Sequence, residues 1–151
     1  MFGSRADLIV DVALLVSLTA PLAAGYGAWL ARTRNLDRHK LMQTVVLCVG
    51  WAAVLALETD IRLAGGSGSL IQKSASTYAG PARLALGIHI TGAVVTYLLW
   101  TWLVVVSRKR FNQQLPGPFS RRHKLLGRAV LAGLAFTAVS AAVMYALVFV
   151  L

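Results

Sequence analysis

The chain has 151 residues, 58% of them hydrophobic and only 13% charged, against about 25% charged residues in a soluble domain. Apolar runs spread over most of so short a chain, with a positive mean hydropathy, would have no polar surface to wrap around them, which excludes an ordinary water-soluble domain. A net charge of +10 would point to nucleic acid in a soluble protein, but here the charges lie between apolar spans, and no nucleic-acid partner is expected.

At the N-terminus, Asp7 and Asp11 stand where a cleavable signal would carry lysine or arginine, so the first apolar run is expected to be retained. A bilayer core needs about 20 apolar residues per helix. Four stretches qualify: Leu8 to Leu30, Leu41 to Leu57, Leu84 to Val106, and Ala129 to Leu151. None alternates with period two, so the reading is helices rather than barrel strands: an all-α, single-domain bundle of four transmembrane helices. Pro21 predicts a kink in the first span.

Between the first two spans lie Arg32, Arg34, Arg38 and Lys40, and between the last two lie Arg108, Lys109, Arg110, Arg121, Arg122, Lys124 and Arg128. These eleven share one side, whereas Arg5, Arg62, Lys73 and Arg83 are spread over the other. Lysine and arginine near span ends are retained in the cytoplasm, so two basic cytoplasmic loops and outward-facing termini are expected. The basic segments are also adequate sites for anionic lipid.

Cys48, in the second span, is the single cysteine; it excludes an intramolecular disulfide and reads as a small buried hydrophobe. A Gly/Ser-rich loop follows from Thr59 to Ala82, and its Gly65-Gly66-Ser67-Gly68 stretch lacks the lysine and following helix of a phosphate loop, so it reads as a flexible turn. On the third span His89, Gly92, Ala93 and Thr96 share a small, polar face, which turns His89 inward. Trp100 and Trp102 read as interfacial anchors. On the fourth, Ala129, Gly133, Thr137 and Ala141 form a small-residue ladder for close helix approach.

Ionisable groups at membrane depth are functional candidates. His39 and Glu58 are nineteen residues apart, about 28 Å along a helix, so one ligand set cannot hold both. Two layers remain. The inner one pairs His39 with His123, the arrangement a bis-histidine heme requires, with Gln43 one turn beyond His39 as a candidate to orient its imidazole; solvation or lipid headgroup contact is the alternative. The outer one draws on Asp7, Asp11, Glu58, Asp60 and His89, with Tyr145 at a depth similar to that of His89. Carboxylates with one imidazole suit zinc, iron or divalent copper; equally, the acids pair with Arg5, Arg62 and Arg83, and Asp7 caps the first helix. A partner for His89 inside a span would be a metal, heme iron or carboxylate. No nucleophile-base constellation, zinc-protease signature or calcium loop is present, and no catalytic residue is expected.

The segments Arg38-His39-Lys40-Leu41-Met42, Gly87-Ile88-His89-Ile90 and Arg121-Arg122-His123-Lys124, with a following span ending in Val143-Met144-Tyr145, resemble the bacterial membrane family called domain of unknown function 420. Its CtaM-like members take part in maturation of heme-copper cytochrome oxidase. The resemblance runs from about Asn35 to the C-terminus, and the order, spacing and span positions of the three histidines are its most specific elements. It implies that His39, His89 and His123 are functional and that the chain resides in a bacterial inner membrane. The family pattern has a further histidine after the second span, where this chain reads Leu57-Glu58-Thr59-Asp60-Ile61-Arg62; if that histidine is a ligand, Glu58 or Asp60 takes its place.

The expected function is therefore an accessory protein for assembly or stabilisation of a terminal oxidase, holding heme or a transition metal such as copper, iron or zinc through histidines. The alternatives are a heme b electron-transfer protein and a small structural subunit of a larger membrane complex.

Overall fold

The structure, a computed structural model, describes residues 6–66, 71, 77–114 and 117–151. Arg5, Ser67, Gly68 and Lys73 lie outside the described residues. Four helices are long and apolar enough to cross a membrane: α1 (Leu8–Arg32), α2 (Leu36–Leu63), α3 (Ala79–Gln114) and α4 (Phe119–Tyr145), the last extended by one π-helical turn, Ala146–Val150. The protein is a multi-pass membrane bundle. Because the four spans alternate in direction, both termini lie at the same end.

Each helix exceeds the apolar run that predicts it, because helix formation does not stop at the lipid boundary. Arg38 and Lys40 lie inside α2, Arg108 to Arg110 inside α3, and Arg121, Arg122, Lys124 and Arg128 inside α4. The basic segments are thus mainly helix ends, not loops, and His39 and His123 sit in the first turns of α2 and α4 rather than before them. α1 continues through Pro21.

The α1–α2 turn is a helix stop with Asn35 N–H bonding Leu30 O at 2.9 Å and Arg34 N–H bonding Ala31 O at 3.2 Å. Arg34 takes the left-handed conformation (φ 62°) that this motif needs, a position where glycine is usual. The same pattern closes α2: Gly66 N–H reaches Ile61 O at 2.8 Å and Gly65 N–H reaches Arg62 O at 3.2 Å, with positive φ at both glycines. The stretch that reads as a flexible turn therefore begins as a defined cap.

α1 packs on α2 and α4, and α3 on α4; α2 and α3 close the ring with the least contact of the four pairs. One core cluster, with Ala20, Ala24, Leu47, Tyr97, Trp100 and Leu134, fills the middle. A second, with Val10, Ala82, Tyr145, Val148 and Phe149, fills the end where the termini meet. Large apolar side chains such as Leu15, Leu22, Leu55, Val95, Leu98 and Val139 point outward, where only lipid covers them at no cost.

The small-residue reading holds where it matters. Thr137 and Ala141 are buried, and Gly133 lies so close to Thr96 on α3 that a methyl group there would overlap its side chain. Ala129, at the start of the ladder, is exposed. Gly50 is likewise covered by the Tyr97 ring, and Gly92 by Phe136.

Candidate functional site

At the basic end, α2 and α4 stand diagonally across the bundle, and their first turns carry His39 and His123 toward each other. The two imidazole centres are 6.2 Å apart with their planes at 85°. Both rings are half-buried. Each is anchored through Nδ1 by one of the flanking helices: His39 Nδ1–H donates to Gly27 O of α1 at 2.7 Å, and His123 Nδ1 shares a 2.8 Å hydrogen bond with the Ser107 hydroxyl of α3.

A backbone carbonyl is only an acceptor, so Gly27 fixes a proton on His39 Nδ1, and in the neutral ring the lone pair then lies on Nε2. The Ser107 hydroxyl can accept from His123 Nδ1–H in the same way. An imidazole with Nδ1–H bonded to protein and Nε2 available is the form in which histidine ligates metals. The sequence-predicted inner pair is thus brought together on opposite sides of the bundle axis, with both orienting partners supplied by helices that the linear order does not single out.

Gln43 has a different role from the one expected. Its amide Nε2 donates to Ala24 O at 2.9 Å, and its Oε1 accepts from Trp100 Nε1 at 3.0 Å. It ties α2 to α1 and α3, one turn below the pair, and the Gly27 carbonyl orients His39 instead. Trp100 is correspondingly 1% exposed, which corrects its reading as an interfacial anchor: its N–H meets an internal acceptor, so burial carries no penalty. Trp102, two residues on, faces outward. Cys48 is exposed on the lipid-facing surface rather than buried.

Cationic side chains share this end of the bundle. Arg108, next in sequence to Ser107, donates from Nη2 to Thr44 Oγ1 at 2.9 Å, bridging α3 to α2. Arg110 lies over the Phe119 ring at 5.0 Å. Asp37 is the one acid of this end, and it pairs with Lys40 at 2.7 Å.

The residues of the outer layer do not gather into a donor set. Asp11, 3% exposed, accepts a 2.6 Å hydrogen bond from Tyr145 OH. Glu58 is exposed and pairs with Arg62 one turn on, at 2.6 Å, the ion-pair alternative for this acid. Asp60 is half-buried near the end of α2. His89 faces inward as its small-residue face predicts, but its Nδ1 bonds Ser140 Oγ at 2.9 Å, and Ser140 in turn donates to Thr137 O at 3.2 Å. Asp7 occupies the N-cap position of α1 without a side-chain cap bond. Among the described residues no three His, Cys, Asp or Glu side chains are grouped to hold a metal ion. Asp11 and His89 each turn toward α4 but bond different residues of it, Tyr145 and Ser140, while Glu58 is exposed and pairs along its own helix.

Ser107 and Gly27, which anchor the two imidazoles, are the residues of this candidate site that sequence reading missed. Ser107 had a signal, being the last small hydroxyl before the Arg108-Lys109-Arg110 run; a backbone carbonyl has none. No family model, curated protein or solved structure matches this chain.

Proposed function

We propose that this chain is an integral membrane accessory protein that holds a transition metal, as the ion or as heme iron, between His39 and His123, and that it serves the assembly or stabilisation of a respiratory heme-copper oxidase. The observation that carries the binding part is the pair itself: two imidazoles 6.2 Å apart, each fixed through Nδ1 by a neighbouring helix. An imidazole anchored through Nδ1 is oriented to ligate through Nε2, which supports the binding reading. The resemblance of the three histidine segments to the oxidase-maturation family supports the client.

The charge asymmetry supports termini on the outer side of a bacterial inner membrane, which puts the histidine pair at the cytoplasmic face, among cations that contact anionic headgroups. Metal and heme content of the purified protein, compared with His39→Ala, His123→Ala and His89→Ala, tests the binding part. Loss in the first two and retention in the third is the expected result; a wild-type protein with neither metal nor heme removes it. Membranes from cells lacking the protein should contain oxidase polypeptide with a depleted cofactor spectrum, and an unchanged spectrum removes the client.

The same pair supports a second reading, electron transfer through resident heme b. It requires a stoichiometric heme that stays with the protein through purification, whereas an assembly role requires a heme or ion that exchanges.

A further inference from the structure

We infer that the outer side of the α2–α3 seam, at the basic end, binds one anionic phospholipid, with its phosphate on Arg108 and an acyl chain in the groove beneath. This site stands apart from the histidine pair, and metal or heme content tests that pair separately.

Two side-chain hydrogen bonds bridge the seam. Arg108 Nη2 donates to Thr44 Oγ1 at 2.9 Å, and Trp51 Nε1 donates to Thr101 Oγ1 at 3.0 Å. The bridges are seven residues apart on each helix, about 10 Å. Between them lie Cys48 on α2 and Val105 on α3, each four residues beyond a bonded threonine and so about 40° further round its helix. Because α2 and α3 run antiparallel, that rotation carries both residues to the same side of the seam. Both are exposed. Leu47 and Val104, one position earlier, turn the other way and pack in the core. The seam is thus closed inside and open outside, between the two neighbouring helices in least contact. Its outer side is a narrow apolar groove with small walls, the shape that an acyl chain fills.

An arginine stands at the head of this groove. The apolar runs begin at Leu41 on α2 and end at Val106 on α3, which puts Arg108 at the level of lipid phosphates. The Thr44 hydroxyl gives its own proton to Lys40 O at 2.8 Å, so it meets Arg108 purely as an acceptor and occupies one of the five guanidinium N–H groups. Arg108 is exposed, and among the described residues no carboxylate pairs with it. A phosphate takes the remaining donors in bidentate geometry.

Charge selects the occupant. Lys109 and Arg110 follow Arg108 directly and repel a headgroup that carries its own ammonium. The site therefore favours phosphatidylglycerol over phosphatidylcholine. A second copy of the chain laid parallel in the groove would bring eleven more lysines and arginines against one Asp37, which is unfavourable at so short a range.

The test titrates the full chain in detergent with phosphatidylglycerol, phosphatidylcholine and glycerol 3-phosphate, counting bound molecules by native mass spectrometry. Wild type should hold one phosphatidylglycerol at concentrations where the other two do not bind. Arg108→Ala should weaken that binding about tenfold, and Arg108→Lys, which keeps the charge without the fork, should fall between. Arg121→Ala removes the same charge from α4 and should leave binding unchanged. Cys48→Phe should weaken it by filling the groove, with helix content by circular dichroism as in wild type. Equal losses in Arg108→Ala and Arg121→Ala would mean diffuse attraction and overturn the site. Equal affinity for phosphatidylcholine or glycerol 3-phosphate overturns it too, as does a Cys48→Phe protein that binds normally. A lipid-free dimer that Cys48→Phe disrupts gives the groove to a protein helix instead.

Discussion

The hydroxyl of Tyr145 donates to Oδ1 of Asp11 across 2.6 Å, joining the last turn of α4 to the first turn of α1 over 134 residues of chain. The Asp11 side chain is buried, and a side-chain hydrogen bond contributes a net of about 0.5–1.5 kcal/mol. Tyr145→Phe should lower unfolding free energy by roughly that amount. Asp11→Ala should cost less when Tyr145→Phe is already present than in wild type; thermal unfolding in detergent of the two single variants and the double variant measures the coupling. Strict additivity would show that the contact contributes nothing.

Gly133 receives the side chain of Thr96, whose Cγ2 would be 2.9 Å from an added methyl group. Gly133→Ala should therefore destabilise the α3–α4 pairing by about 1–3 kcal/mol. Shortening the opposing side chain with Thr96→Ala should recover most of the loss. Failure of the second change to help would place the damage elsewhere.

Trp100 is 1% exposed and its indole N–H has the Gln43 side-chain oxygen as acceptor. Gln43→Leu leaves that donor buried without its acceptor, at a cost of about 1–3 kcal/mol. Trp100→Phe removes the donor, so Gln43→Leu should cost clearly less when combined with it. Calorimetry of the four proteins checks this.

Arg34 holds a left-handed backbone conformation at the end of α1. Glycine adopts it without strain, so Arg34→Gly should stabilise the protein by about 0.5–1 kcal/mol, read as a higher melting temperature. An unchanged or lower value would mean that the arginine side chain offsets the strain through contacts of its own.

Orientation is open to direct measurement. With Cys48 replaced by Ser, a cysteine introduced in place of Ala6 should react with a membrane-impermeant thiol reagent in intact cells, and one in place of Asp37 should react only after the membrane is opened. The reverse pattern would invert the assignment and place the histidine pair on the outer face.

The number of spans was legible because a helix crossing lipid must be apolar over a fixed length, a property of a window rather than of a fold. The approach of His39 to His123 was legible for a related reason: both belong to the same basic end, and an alternating bundle has few ways to keep them apart. The role of Gln43 was not legible, since its neighbour one turn back is His39 while its partners, Ala24 and Trp100, come from α1 and α3. The outer acids misled in the same way. Asp11, Glu58, Asp60 and His89 share an end of the bundle, yet Asp11 and His89 bond separate α4 residues, Tyr145 and Ser140, and Glu58 pairs with Arg62 on its own helix.

Linear order by itself determined that this is a four-span membrane bundle with one cationic end, because bilayer partitioning and charge asymmetry depend on composition along the chain. Only the tertiary structure decided which polar groups meet: that His39 takes its orientation from Gly27, His123 from Ser107, Asp11 its donor from Tyr145, and Trp100 its acceptor from Gln43. Those pairings follow from how far each helix is rotated about its axis. A residue moves about 100° around the helix with each step, so depth in the membrane is written in sequence position, while facing direction is settled by packing.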